Sequence, residues 1–317
     1  MNIEYEYIYE VYKTGSISRA AENLYITQPA LSMSIRRIEN SIGMALFDRS
    51  RHPLVLTEAG ELYIHKIREI KQLEETLASQ INDLNQLKTG SIKIGGSNYV
   101  NSRILPDIVT AFNRKYPGIN ISLTEHSSAV LARMLKDREL DITFNCDEKL
   151  ILGFERYPAF YDHVLLAVPF SYPLPEHVRK YALNAADVLQ NRHLSDDCPI
   201  LDPSEFSNLD YIILTEGNNL RNRSLSFFHF AGFDPHIKLS VSQLSTAYAL
   251  AKSGFGASLI SDRMVTQDST HLSYYRITPA ISQRLFYMIL PNREYTSNIV
   301  KEFIHFFQQY SKIQEYI

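Results

Sequence analysis

Gln28 and Ser32 stand four residues apart in QPALSMSIRR, a spacing that stacks them on one face of a helix. The glutamine amide matches the donor and acceptor that an adenine edge presents in the DNA major groove, and a serine hydroxyl pairs with several bases. Pro29 and Met33 are apolar neighbours suited to a thymine methyl group. Arg36 and Arg37 suit phosphates, which fix register without reading sequence. Arg49, Arg51 and His52 follow in DRSRHP, a basic turn able to reach the minor groove or the backbone. Catalysis lacks its minimal parts: the ten histidines form no HExxH or HxH pair, and no GxSxG elbow, Walker loop or GxGxxG loop occurs. His126, beside Ser127 and Ser128, reads as loop polarity. Recognition by hydrogen bonds and charge remains, with neither a metal nor a cofactor implied.

Three short helices and a turn must position these groups. Tyr7, Ile8, Val11 and Tyr12 share one helical face, and Gly15 stops that helix. Ser18 is expected to cap a second helix that turns Ala20, Ala21 and Leu24 inward. Thr27 or Gln28 caps a third, with Pro29 in the first turn, where a missing N–H does no harm. Its buried stripe is read as Ala30, Leu31, Ile35 and Ile38, and Gly43 ends it. Pro53 then marks a bend and 54–57 a short strand, the outline of a small basic β wing. From 57 to 87 there is no proline and, after Gly60, no glycine, while Tyr63, Ile67, Ile70, Leu77, Ile81 and Leu84 recur at spacings of three and four apart from one gap near Glu74. One long helix of this kind buries its stripe by pairing with the same helix of another subunit, or else by lying on the following domain.

Past residue 88 strand and helix patterns alternate. Strands are expected at 92–95, 119–124 and 140–144, with helices at 104–116 and 129–138 between them. A second set runs through 164–168, 211–214, 220–231, 237–241, 243–253 and 257–260. The chain returns through a strand at 285–290 and ends in an amphipathic helix at 300–310. The economical arrangement is two α/β lobes joined by crossing strands, with a cleft between them. Loops at the carboxyl ends of parallel strands bring helix N-termini to such a cleft. They carry Ser97, Asn98 and Tyr99, then Ser127 and Ser128, then Asn145. In the other lobe they carry Thr215, Glu216 and Asn218, with Gln243 and Ser245 on the next helix start. Hydroxyls at these positions serve equally as helix caps. A carboxylate at Glu216 would repel a purely anionic ligand and suit an amine or hydroxyl. The stretch 174–208 is polar and proline-punctuated and has no evident role.

At 317 residues the chain holds more than one domain, and its 45% hydrophobic and 21% charged residues lie in the range of folded proteins. A net charge of −3 gives no global cationic field, so nucleic-acid contact must come from a local patch. The opening MNIEYEYIYEVYK has no basic stretch before an apolar run and does not read as a secretory leader, and no apolar run is long enough to span a membrane. Cys146 and Cys198 are far apart, as in a reducing cytoplasm. Cys198 reads as an inert thiol rather than a redox sensor.

The run GSISRAAENLYITQPALSMSIRRIENSIGMALFDRS, followed by LTEAG, resembles the N-terminal signature of LysR-type transcriptional regulators. GSIKIGG, ILPDIVTAFNRKYPGI, LKDRELDITF and LAKSGFGASLIS are similar to that family's effector domain. Met33 departs from the polar residue often found at its place. The resemblance implies a mainly α winged helix-turn-helix over 1–58, a linker dimerisation helix over 59–89, and an α/β two-lobed, periplasmic-binding-protein-like effector domain over 90–317. Lobe I would comprise about 90–161 and 268–317, and lobe II about 162–267. DNA contacts would fall on Ser18, Thr27, Gln28, Pro29, Ser32, Met33, Arg36, Arg37, Arg49, Arg51 and His52. The implied partners are double-stranded promoter DNA, the chain itself as dimer and tetramer, a small polar metabolite, and RNA polymerase, in the bacterial cytoplasm. Ser97 and Thr215 match positions that often touch the effector. A transport solute-binding protein would account only for the C-terminal half, and an enzyme would leave the first ninety residues unexplained.

Overall fold

Proline and glycine punctuation cuts the N-terminal segment into three helices and a hairpin, as the sequence spacing predicts. Helix α1 (Ile3–Thr14) ends at Gly15, whose φ of +61° is left-handed and whose added Cβ would lie 2.9 Å from Pro53. Helix α2 (Ile17–Asn23) is capped by Ser16, which accepts from the Arg19 N–H; Ser18, the expected cap, already lies inside the helix. Helix α3 (Gln28–Ile42) starts at Thr27, whose hydroxyl accepts from the Ala30 N–H, and stops at left-handed Gly43. Leu31, Ile35 and Ile38 are buried as expected, whereas Ala30 is exposed and belongs to the outer surface. Strands β1 (Phe47–Asp48) and β2 (Val55–Leu56) form the wing hairpin. Helix α4 (Glu58–Asp83) then leaves under a cap from the Thr57 hydroxyl.

The computed structural model describes residues 3–83, 89–292 and 295–311. It divides into two compact units, Met1–Leu84 and Asn85–Ile317. Leu84 and the last residues of the expected 59–89 helix lie outside the described residues.

In the second unit, β3 (Gly90–Gly96), α5 (Leu105–Lys115), β4 (Ile119–Glu125), α6 (Ser128–Lys136) and β5 (Ile142–Asn145) form the expected β-α-β-α-β run. Strands β4, β3 and β5 are parallel neighbours. After the short α7 (Glu148–Ile151) comes β6 (Glu155–Pro169), three times as long as the strand legible in sequence. Its first half was hidden by Pro158, which sits at a register shift against β11 and so interrupts the alternation. Helices α8 (Glu176–Arg179) and α9 (Ala185–Leu189) belong to the 174–208 stretch, which is a folded flap. Val178, Val188, His193 and Phe206 are buried within it.

The rest of the second set follows as β7 (Asp210–Leu214), α10 (Asn219–Ala231), β8 (His236–Val241), α11 (Leu244–Lys252) and β9 (Ser258–Ser261). Strand β10 (Leu272–Arg276), which sequence alone did not reveal, pairs with Leu165–Pro169 of β6. It therefore lies across the second half of β6 from β9, not with the lobe I segment 268–317 to which its residues were assigned. The return crossing comes later, through α12 (Pro279–Ser282) and β11 (Gln283–Leu290), which pairs with the first half of β6 and with β5. Helix α13 (Asn298–Tyr310) closes the first lobe by setting Phe303 and Phe307 against Phe112, Phe144 and Phe160.

Where the crossing strands meet, Asp162 of β6 is fully buried and accepts from Arg284 Nη2 at both oxygens, each at 2.8 Å, and from its Nε at 3.1 Å. Tyr99 donates to the same carboxylate at 2.5 Å, and its hydroxyl also lies 2.9 Å from Ser261 of the second lobe. Removing one partner of such a pair strands a charge away from water at a cost of about 3–5 kcal/mol, whereas apolar replacement of both is often neutral. Asp162→Ala should therefore lower stability by about that amount in urea denaturation of the full chain. The double substitution Asp162→Leu, Arg284→Met should regain most of it; an Asp162→Ala variant as stable as the parent would contradict this account.

Candidate functional site

Helix α3 presents its residues in rows. Gln28, Ser32 and Arg36 follow at four-residue steps on one flank, with Pro29 and Met33 on the outermost line; Met33 is 72% exposed. Thr27, Gln28, Pro29 and Arg36 are exposed and Ser32 is half-buried. Among the described residues Arg36 has no ion-pair partner, so its charge is available. Arg37 lies about 100° further round the helix and donates to Glu4 of α1 at 2.8 Å. Expected to share phosphates with Arg36, it instead pairs with this acidic residue of the first helix.

The wing is fixed to α3 by one carboxylate. Glu39 is buried, accepts from the Leu46 N–H at 2.9 Å and the Phe47 N–H at 3.4 Å, and takes the Arg49 guanidinium at 2.7 Å. Three donors offset the cost of burying that charge. Arg49 thus spends part of its guanidinium on the fold, and Arg51 leans on Asp48 at 3.5 Å. Gly60 allows the start of α4 to touch the wing: a Cβ there would sit 2.0 Å from the Leu46 carbonyl oxygen, which is the physical reason for the glycine in LTEAG. Between the α2 start, the α3 start and the wing lies a groove of about 490 Å³ lined by Ser18, Arg19, Gln28, Arg49 and His52. Four of the expected contact residues share it. Arg19, exposed at its edge, was missed because an isolated arginine between serine and alanine carries no pattern of its own.

Along α4, Ile64 and Ile67 are buried against α1 and α3, and Arg68 donates to the Tyr12 hydroxyl at 2.9 Å. Further on the helix leaves that core: Leu73, Leu77 and Ile81 are 69%, 58% and 54% exposed. Their four-residue steps make an apolar stripe without a partner in the chain's described residues.

In the second unit one pair of the residues expected to line the cleft meets across the lobes. Asn98, after β3, donates to Glu125 at 3.4 Å and accepts from Ser245 of α11 at 3.1 Å, a contact across the lobes. Ser127 is the N-cap residue of α6, Ser128 begins that helix, and Gln243 is the N-cap residue of α11. Neither cap side chain makes a capping hydrogen bond. Thr215 is half-buried and Glu216 exposed, while Asn218 donates to the Thr215 carbonyl at 3.2 Å. Ser97 lies under the Val100 N–H at 3.5 Å.

Two expected ligands are structural instead. Burial, then the Asp162 carboxylate, push the Tyr99 hydroxyl well above its usual range, so it stays protonated and is spent on the crossing strands. Asn145 is buried and accepts from the Asp147 N–H. Arg223 of α10, not foreseen, donates to the Ile281 carbonyl and to Asn219. Burial and the neighbouring Arg284 lower its guanidinium from the ordinary value, yet an arginine so placed remains a cation.

A capped helix with an exposed polar row beside a basic wing, and two α/β lobes meeting over hydroxyl and amide side chains, define a winged-helix regulator with a ligand-sensing domain. Residues 4–61 match the bacterial regulatory helix-turn-helix protein model of the lysR family, and residues 85–312 match the LysR substrate binding domain. The chain belongs to the LysR family of transcriptional regulators. It is 26% identical over 295 residues to the uncharacterized HTH-type transcriptional regulator YcgK of Bacillus subtilis, covering 91% of this chain and 88% of that one. Among solved structures it is similar in fold to full-length CbnR complexed with its target DNA, at a TM-score of 0.63 and 18% identity over 96% of this chain and 98% of that one. Full-length BenM gives 0.53 and 20% over 98% of this chain and 97% of that one. The protein is therefore a DNA-binding regulator with an effector-binding domain, and not an enzyme. No helix among the described residues is long and apolar enough to cross a membrane.

Neither thiol is poised for redox chemistry. Burial pushes Cys146 up to about 11 and raises half-buried Cys198 as well. At pH 8 a thiol at 11 is thiolate about one part in a thousand, so iodoacetamide should modify Cys146 about 100-fold more slowly than a free peptide thiol. In urea both cysteines should react at the free rate. Native labelling as fast as the unfolded chain would show that Cys146 is reactive after all.

Proposed function

We propose that the chain reads promoter DNA with Gln28 and Ser32 in the major groove. Arg36 takes phosphate on the same row, Thr27 sets the helix start, and Pro29 and Met33 lie against base methyl groups. Ser18, Arg19, Arg51 and His52 flank that row, and Arg49 contributes the part of its charge left over from Glu39. The observation that carries this reading is the row of exposed Gln28, half-buried Ser32 and exposed Arg36, whose first member lines the groove shared with the wing. Arg37 is left out of the contact set because of its pairing with Glu4.

The exposed Leu73, Leu77 and Ile81 stripe supports a dimer formed through α4, and pairs of dimers would make a tetramer on two half-sites. A fully buried leucine or isoleucine contributes about 1.5–3 kcal/mol to such a contact. The domain arrangement that goes with it is a winged helix-turn-helix over 1–58, a linker helix over 59–89 and an effector domain over 90–317. A small polar metabolite held between Asn98, Ser127 and Ser128 on one side and Thr215, Glu216 and Ser245 on the other would favour closed lobes and so shift the population of dimer arrangements. RNA polymerase would be the downstream partner, in the cytoplasm.

With duplexes selected from a random pool, Gln28→Ala and Ser32→Ala should each cost about 1–3 kcal/mol on the preferred sequence and little on random DNA. Arg36→Ala should weaken binding to both and reduce the slope of log K against log salt by about one. Equal losses on specific and random duplexes for all three would overturn the division of roles.

Leu77→Glu combined with Ile81→Glu should convert the dimer to a monomer in sedimentation equilibrium while leaving the circular dichroism spectrum unchanged. A variant that sediments like the parent would exclude this helix as the interface.

A further inference from the structure

His163, His193 and Asp262 come from three separate parts of the second unit. His163 lies on β6 opposite Gln283 of β11, Asp262 directly follows β9, and His193 sits in a short 3-10 turn of the 174–208 flap. The carboxylate is oriented by the backbone: Oδ1 accepts from the Arg263 N–H at 2.9 Å and the His163 N–H at 3.2 Å. That leaves Oδ2 facing two imidazoles, 3.1 Å from His193 Nε2 and 3.4 Å from His163 Nδ1. The rings are edge-on, with centroids 6.0 Å apart and planes at 69°, so their nitrogens converge instead of stacking. His193 is 2% exposed, and its other nitrogen is buried with no hydrogen-bond partner, so Nε2 alone is turned toward a polar group.

We propose that these three side chains bind a divalent transition-metal ion of the zinc class through His163 Nδ1, His193 Nε2 and Asp262 Oδ2. Tetrahedral coordination at about 2.0–2.1 Å places ligand atoms about 3.3 Å from one another, close to the two observed separations. All three atoms lie within 4.8 Å of one another, and rotation of His163, 18% exposed, can close the remaining edge. Two imidazoles and one carboxylate select zinc, cobalt or nickel over magnesium or calcium, which prefer all-oxygen shells. Three protein ligands leave one position open. A cavity of about 330 Å³ adjoins, lined by both histidines, Arg276, Ser282 and Gln283. Arg276 on that wall donates from Nη1 to the carbonyls of Ser195 and Cys198 at 2.7 and 2.9 Å. The ion fastens the flap to the crossing strand one residue from Asp162, giving the 174–208 segment a role. None of its ligands belongs to the polar set of the cleft, so the site stands independently of the effector reading.

The full chain, stripped with chelator and dialysed, is titrated with cobalt(II) chloride, whose visible absorption is intense in four-coordinate sites and faint in six-coordinate ones. The expected result is one ion per chain with four-coordinate bands that zinc displaces. His193→Gln and Asp262→Asn should each weaken cobalt binding by about 100-fold or more, since losing even an outer partner costs 10–100-fold. His236→Gln, which alters an exposed histidine–carboxylate pair, should change nothing. Absence of saturable binding in the parent chain, a six-coordinate spectrum, or undiminished binding in both ligand variants would overturn the proposal. The parent spectrum decides the matter even where a variant fails to fold.

Discussion

The second unit hangs on one desolvated charge. Asp162 and Arg284 are each buried on a crossing strand, and an ion pair in that position is maintained only if every lone pair and N–H finds a partner. Tyr99 supplies the missing donor from the first lobe, and Ser261 touches the same hydroxyl from the second. Both lobes are therefore registered on a single carboxylate. A lobe can pivot about this point, but it cannot slide, because sliding would leave a charge unpaired in a low-dielectric interior. This is the mechanical condition a ligand-driven closure needs: a small set of discrete arrangements rather than a continuum.

A similar constraint governs the first unit. Glu39 binds the loop that leads into the wing and also the wing arginine, so the angle between α3 and the hairpin is set by one side chain. Gly60 then lets α4 start against the wing backbone at a distance no other residue tolerates. Helix α3, the wing and the start of α4 are consequently fixed to one another. Under the proposed dimer, a rotation of α4 would be carried to the Gln28–Ser32–Arg36 row.

Much of this was legible in the sequence because it is local. Capping residues, left-handed glycines and three-and-four spacing locate α1 to α3 and the start of α4 within a residue or two, and the strand–helix alternation gives both lobes. What escaped notice is long-range. The Arg37–Glu4 pair joins residues 33 apart, and nothing in RRIEN distinguishes the arginine that faces solvent from the one that faces α1. Tyr99 follows Ser97 and Asn98 in a cleft-like loop, and only the distant Asp162 explains why its hydroxyl turns inward. Strand β10 was obscured by polar flanks, and the first half of β6 by Pro158. Of the cleft residues, Asn98 and Ser245 could be assigned from loop position alone, whereas Arg223 could not, since its neighbours come from α12 and β11.

The charge distribution sets how the protein must use these parts. With a net charge of −3, the chain has no long-range attraction for a polyanion, and two of its three best-placed arginines in the N-terminal unit are partly committed, Arg37 to Glu4 and Arg49 to Glu39. Each phosphate neutralised contributes a nearly fixed increment to the salt dependence of binding, so a single N-terminal unit with few free cations holds DNA weakly. Affinity must then come from joining several units on one duplex, where the second contact is intramolecular and its effective concentration depends on geometry. In the proposed assembly the angle between N-terminal units, not the chemistry of any one of them, would control occupancy. A sensor domain that changes only the arrangement of subunits would then suffice to regulate binding, without altering a residue on the proposed DNA contact.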